Sequence, residues 1–169
     1  LHQQGRWERE LLFYAALLHD VGTFLSYANH HVNSAFFIRN ADILGFSQEE
    51  LTIMAAMASL HRKGLPNDKS PEFAGMDEKD RDIVKKLFIF LRIAESLDRS
   101  HAALVESARF QRGNKGSVLL EVSSSKDCQL ELWGIENHCE TFQAVYGKPL
   151  TIIHNASDQL IGVGPQQTF

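Results

Sequence analysis

An adjacent pair, His19-Asp20, closes the apolar run from Leu11 to Leu18. Imidazole nitrogen and carboxylate oxygen both bind divalent cations, which activate water or neutralise phosphate oxygens. No single helix can surround such an ion, so its ligands must converge from several elements. The residue types available are His19, Asp20, His30, His31, His61, Asp98 and His101. His19 falls four residues after Ala15 and seven after Leu12, and Asp98 four after Ala94 and seven after Leu91. Both spacings put a polar group on the apolar face of a helix. An inward carboxylate is costly unless it is paired or coordinated. Taken singly, each residue reads as an ordinary hydrogen-bonded side chain, with Asp98 capping a turn or pairing with Arg92 or Arg99. Taken jointly, they point as readily to a shared metal ion. His30-His31, in a Ser/Tyr/Asn-rich turn, is the least specific of the set and reads as solvent-exposed.

A second cluster, His61-Arg62-Lys63, ends a helix. Cations there complement the helix dipole whatever else they do. The sharper reading is a phosphate clamp, because Arg forks onto phosphate oxygens and Lys adds a point charge. Arg99 is a candidate third member. A cation beside basic groups is what phosphate ester or anhydride hydrolysis needs. Other chemistries lack signal: there is no GxGxxG or Walker loop, and no nucleophile elbow.

The elements that must position these groups follow from periodicity. Residues 7–20 carry Leu11, Ala15 and Leu18 on one helical face, with Gly22 as a stop; residues 34–44 form a second helix ending at Gly45. Ser47 and Glu50 make a capping box that opens a third helix running to about His61. Gly64, Pro66 and Pro71 mark a loop. Asp77 caps the longest helix, which reads inward through Val84, Leu87, Leu91 and Ala94 as far as Ser100. The pattern then changes. Residues 117–122 alternate as a strand, 104–110 are its partner across the turn Gly113-Asn114-Lys115-Gly116, and 128–133 read as a third strand. Ile135, Cys139, Phe142 and Tyr146 return to helical spacing before a short strand at 150–153. The fold class is mainly α: a helical domain over 1–102, a small α+β domain over 103–156, and a tail over 157–169.

Composition fits a soluble protein, with 44 % hydrophobic and 22 % charged residues. A net charge of −4 argues against a general DNA or RNA binder. Charged residues interrupt every apolar stretch before it reaches membrane-spanning length. The two cysteines, Cys128 and Cys139, match no zinc spacing and read as reduced thiols in a cytoplasmic protein. The polar opening, with no initiator Met, reads as a fragment or trimmed chain rather than a signal peptide.

Four ordered motifs carry a resemblance: Leu17-Leu18-His19-Asp20-Val21-Gly22; His30-His31 with Ser34; His61-Arg62-Lys63-Gly64; and Leu91 through Asp98-Arg99-Ser100-His101. Together they resemble the C-terminal HD-type region of the exopolyphosphatase/guanosine pentaphosphatase family, and the strand-rich remainder resembles that family's small terminal α/β domain. The resemblance implies a cytoplasmic hydrolase acting on polyphosphate or a phosphorylated guanosine nucleotide. It places the family's catalytic machinery in an actin-like N-terminal part whose glycine-rich loops this chain lacks. It gives this region polyphosphate binding and homodimer formation. It also implies an HD-type ligand set of His19, Asp20, His31, His61 and Asp98 for a divalent metal (Mg, Mn or another), with Arg62, Lys63 and Arg99 on the substrate. Two departures stand out: only His2 precedes His19, and Asn33 stands where many members have His. An autonomous nucleotide phosphohydrolase and a purely structural dimerisation module are the alternatives.

Overall fold

A computed structural model describes residues 5–62 and 65–156. Its first part is helical: α1 (Arg6–Leu18), α2 (His30–Asn40), α3 (Gln48–Leu60) and α4 (Glu78–Ser96). The second part adds β1 (Ser107–Arg112), β2 (Val118–Ser124), α5 (Gln129–Glu136), α6 (Cys139–Tyr146) and β3 (Leu150–Ala156). This is the mainly α fold with a small α+β part that the periodicity predicts.

α3 is the centre of the helical part. Its run Ile53-Met54-Ala55-Ala56-Met57-Ala58-Ser59-Leu60 is apolar all round, and every one of these residues is buried. α1, α2 and α4 pack around it. The capping box holds as expected: Ser47 Oγ accepts the Glu50 amide at 3.3 Å, and Glu50 Oε2 accepts the Ser47 amide at 2.8 Å. Asp77 likewise accepts the Asp80 amide at 2.8 Å and starts α4.

In the sheet, β2 is central, antiparallel to β1 and parallel to β3. A parallel return needs a crossover, and α5 and α6 supply it. β2 alternates strictly, burying Val118, Leu120, Val122 and Ser124. Phe142 seals the sheet to the helices, stacked on Phe110 at 6.2 Å and edge-on to Phe90 at 6.5 Å. One apolar core runs from Leu11 through α3 and α4 to Phe142 and Leu150.

Four boundaries differ from the sequence expectation. The expected strand at 128–133 is helical, because Cys128, Leu132 and Ile135 share the buried face at helical spacing while Leu130 is exposed. α2 spans His30–Asn40 rather than 34–44. Amides end it early: Gln48 Nε2 donates to the Arg39 carbonyl at 2.9 Å, Asn40 Nδ2 to that of Phe36 at 2.8 Å, and Leu44 lies in solvent. β1 is shifted three residues on from the expected start at Leu104. α4 stops at Ser96, short of Asp98.

Gly22 sets the approach of α1 to α2. It sits in the short 3-10 turn after α1, and its amide donates to Ser34 Oγ at 2.8 Å. A Cβ there would lie 2.3 Å from the His30 carbonyl oxygen and 2.4 Å from the Ser34 nitrogen, both backbone atoms with nowhere to go. Gly22→Ala is therefore expected to force the turn off α2 at a cost of about 1–3 kcal/mol. An unchanged urea midpoint in that variant would show the contact to be slack.

Candidate metal centre

Three histidines meet at this contact. His19 follows the last residue of α1, His61 follows the last residue of α3, and His30 is the first residue of α2. Each ring is aimed the same way. Nδ1 lies 2.7 Å from the Ala16 carbonyl in His19, 2.9 Å from that of Tyr27 in His30, and 2.6 Å from that of Ala58 in His61. A carbonyl oxygen only accepts, so each Nδ1 carries the hydrogen, and such a ring in its neutral form presents a bare Nε2. For His19 and His61 the partner is one of the free carbonyls that a helix C-terminus leaves.

The bare nitrogens face Asp20. Its Oδ1 is 3.2 Å from His30 Nε2 and 3.8 Å from His61 Nε2, and its Oδ2 is 3.4 Å from His19 Nε2. His30 Nε2 and His61 Nε2 are 3.1 Å apart. Burial pushes His61 down to about 4, against the pull of its Ala58 bond, so it is neutral at ordinary pH. His19 Nε2 and Asp20 Oδ1 are both buried with no hydrogen-bond partner. The centre is thus a surplus of acceptors. One ligand atom each from His19, Asp20 and His61 lies within 4.8 Å of the others.

α4 contributes from below. Glu95 brings Oε2 to 4.0 Å from His61 Nε2, and burial raises its carboxyl above the ordinary range, against the opposing pull of His19 and Arg62. Arg92, buried, donates through Nε and Nη2 to the Leu60 carbonyl at 2.8 and 2.5 Å, clamping the end of α3 that carries His61. Exposed Arg62 lies over the Tyr27 ring at 5.8 Å, and Tyr27 in turn lies 5.4 Å from His30.

The expected set is therefore gathered in part. His19, Asp20 and His61 come together, and the His31 ring stands beside them, 6.0 Å from that of His30 and 6.2 Å from that of His61. Asp98 does not join. Past the end of α4 the helical register no longer applies: Asp98 is exposed, accepts the Ala103 amide at 3.0 Å and lies 4.0 Å from His101. Ala94, expected to face inward, is exposed too. His30, expected in solvent, is buried. The stripe His30-Ser34-Ile38, all buried, is the signal that would have placed it. Glu95, seven residues after Phe88 on the stripe that also holds Arg92, takes the position expected of Asp98. Of the phosphate clamp, Arg62 stands near the centre. Arg99 is taken up by α5, stacking over Trp133 at 5.6 Å. Lys63 lies outside the described residues.

Comparison with known proteins settles the lineage. A family model described as Ppx/GppA phosphatase, domain III, matches residues 2–138. The chain belongs to this family. The match takes in α1 to α5 and the β1–β2 hairpin, leaving α6 and β3 beyond it. A guanosine-5'-triphosphate,3'-diphosphate pyrophosphatase from Pseudoalteromonas translucida (strain TAC 125) is 38 % identical over 55 residues, 32 % of this chain. That stretch is 11 % of the relative, so the chain matches a small part of a much longer enzyme. No helix among the described residues is long and apolar enough to cross a membrane.

Because His61 is held neutral in the folded chain, the unfolded chain, with the ordinary value of 6.5, takes up the proton first as pH falls. Stability is present above that value and is lost as pH drops from about 6.5 toward about 4, by at most about 3 kcal/mol for this group. His138, also pushed down to about 4 by burial and then by Arg92 and Arg99, adds a loss of the same sign. Urea titrations without metal at pH 7 and 4.5 should show the loss, and His61→Gln should make it smaller. An identical pH slope in that variant would contradict the assignment.

Proposed function

We propose that this chain is a metal-bearing, phosphate-binding region of a larger phosphoanhydride hydrolase whose substrate is a guanosine polyphosphate or inorganic polyphosphate. The observation that carries the reading is the convergence of three imidazole Nε2 atoms on the Asp20 carboxylate, His30 and His61 on its buried Oδ1 and His19 on its Oδ2. A proton on one ring would satisfy one contact and leave His19 Nε2 bare; an ion would satisfy the set. Neighbouring ligand atoms 3.1–3.8 Å apart suit an ion with bonds of about 2.0–2.2 Å. Nδ1–H bonds to carbonyls are the support that metal-bound histidines usually have.

His19, Asp20, His30 and His61 would hold the ion, with Glu95 and His31 at its edge. This imidazole-rich set favours a transition metal such as Mn, Fe or Zn over Mg, which prefers oxygen ligands. A bound divalent ion supplies charge for phosphate oxygens and lowers the pKa of water. Arg62, its guanidinium over the Tyr27 ring, would fork onto a phosphate. The relative's name supports a guanosine polyphosphate as the parent enzyme's substrate.

Two measurements test this. Dialysed protein should retain a transition metal by elemental analysis, and Mn2+ or Zn2+ titration should weaken at least about tenfold in Asp20→Asn or His61→Ala. Asp98→Asn should bind like the parent. A protein without metal, with a urea midpoint indifferent to chelator, would instead support a structural module that forms a homodimer, a reading favoured by the exposed Phe13, Leu17 and Phe24. The second measurement is polyphosphate binding by the metal-loaded chain at low and moderate salt. Arg62→Ala with Lys63→Ala should lower affinity and flatten its salt dependence. Unchanged affinity would remove the clamp.

A further inference from the structure

Arg39, Arg81 and Arg92 are all shielded from solvent, and only the first is poorly served. Arg81 puts Nε and Nη2 on the Met76 carbonyl at 3.0 and 2.7 Å, and Arg92 puts the same pair on that of Leu60. Arg39, near the end of α2, brings Nη2 no closer than 3.4 Å to the Glu72 carbonyl, beyond the ordinary N–H···O distance. Its Nε is buried with no hydrogen-bond partner, and among the described residues it makes no ion pair. A charged donor kept from water with so little to bond is costly, so this guanidinium gains by turning onto a better acceptor.

Arg39 borders a cavity of about 370 Å3 between α2, the end of α3 and the short 3-10 turn Pro71–Phe73. Val32, Ala35, Phe36 and Arg39 line it at i, i+3, i+4 and i+7, a stripe beside the buried His30-Ser34-Ile38 stripe. Val32 and Phe36 are 46 % and 63 % exposed, and Pro71 completes the apolar wall. Buried Ser59 brings a hydroxyl to the lining and donates it to Glu72 Oε1 at 3.5 Å. Buried Phe73 anchors the turn that carries Glu72. The cavity thus joins a solvent-facing apolar wall to one under-bonded cation.

We propose that this cavity binds a small monocarboxylate with an apolar body, of about the size of phenylacetate, with Arg39 as its anchor. A carboxylate takes two parallel N–H bonds from a guanidinium fork and so supplies the acceptor that Arg39 lacks. The apolar body covers Val32 and Phe36, surface that otherwise faces water. Glu72, in the same lining, repels a multiply charged anion more strongly than a single carboxylate, which makes phosphate chains poor ligands here. The volume lies in the range of about 300–1,000 Å3 usual for small-molecule pockets. None of its lining residues belongs to the metal centre.

Titration of the whole chain with chelator present, followed through the backbone amides of α2 by NMR, tests this. Phenylacetate should shift the amides of Val32, Phe36 and Arg39, and phenylacetamide, its neutral counterpart, should bind at least about tenfold more weakly. Arg39→Gln should weaken phenylacetate by a similar factor. Phe36→Ala, at an exposed position, should keep the urea midpoint and weaken binding about threefold or more through lost apolar contact. That variant and the acid–amide comparison decide the matter even where Arg39→Gln disturbs α2. Replacing chelator by Mn2+ should leave the affinity unchanged, which separates this site from the metal centre. Inorganic triphosphate should leave these amides unmoved. No binding of phenylacetate, equal binding of acid and amide, full affinity in Phe36→Ala or in folded Arg39→Gln, a requirement for Mn2+, or triphosphate binding that depends on Arg39 would each overturn the proposal.

Discussion

Three imidazoles that direct their Nδ1 hydrogens at backbone carbonyls leave lone pairs on Nε2, and these repel where His30 and His61 bring theirs 3.1 Å apart with a carboxylate oxygen 3.2 Å from His30. The remainder of the helical part keeps that arrangement in place. α1 and α3 end at the centre, so the negative ends of two helix dipoles point at it; the N-terminus of α2 opposes them through His30. Gly22 lets the backbone after α1 lie directly on α2, and the buried Arg92 fastens the last carbonyl of α3 to α4. An apolar core could have been built without any of these devices. Each costs stability or sequence freedom, and all of them act on the same few atoms.

Burial sharpens the electrostatics rather than screening it. The His61 side chain is wholly covered, which is why its proton affinity falls, while Asp20 stays nearly half exposed. A neutral, rigid imidazole is a better metal ligand than a charged one, because ligand nitrogens must be deprotonated. The half-open carboxylate leaves the centre a route to solvent. The same desolvation that keeps the histidine bare raises the Glu95 carboxyl beside it.

The helices were legible where their pattern was periodic and their caps were made by side chains: Ser47 and Asp77 start α3 and α4 where the sequence indicates. His19, Asp20 and His61 were legible because they sit at helix ends, where apolar periodicity stops and polar residues still face inward. Asp98 was misread for the converse reason. Its spacing from Leu91 is helical, but α4 ends at Ser96 and the chain enters a turn that the Asp98 carboxylate itself organises. His30 was hidden because Asn29, in a left-handed conformation, starts α2 four residues before the expected position. In α5 the alternation Cys128-Leu130-Leu132 imitates a strand. Burial of Cys128, Leu132 and Ile135 on one helical face, with Gly134 packed close on Ser96, makes the helix the better solution.

How the histidine centre could attract a polyanion follows from its donors. The histidine centre contains only acceptors, so without an ion it offers phosphate nothing but Arg62 at its rim. Any strong hold on phosphate there must rise and fall with metal occupancy. A net negative chain cannot draw in polyanions by its overall field, so a proposed phosphate site at the histidine centre would depend on local charge at short range. Selectivity for phosphate chains over other anions must then come from geometry. The geometry on offer is the placement of Arg62 against Tyr27.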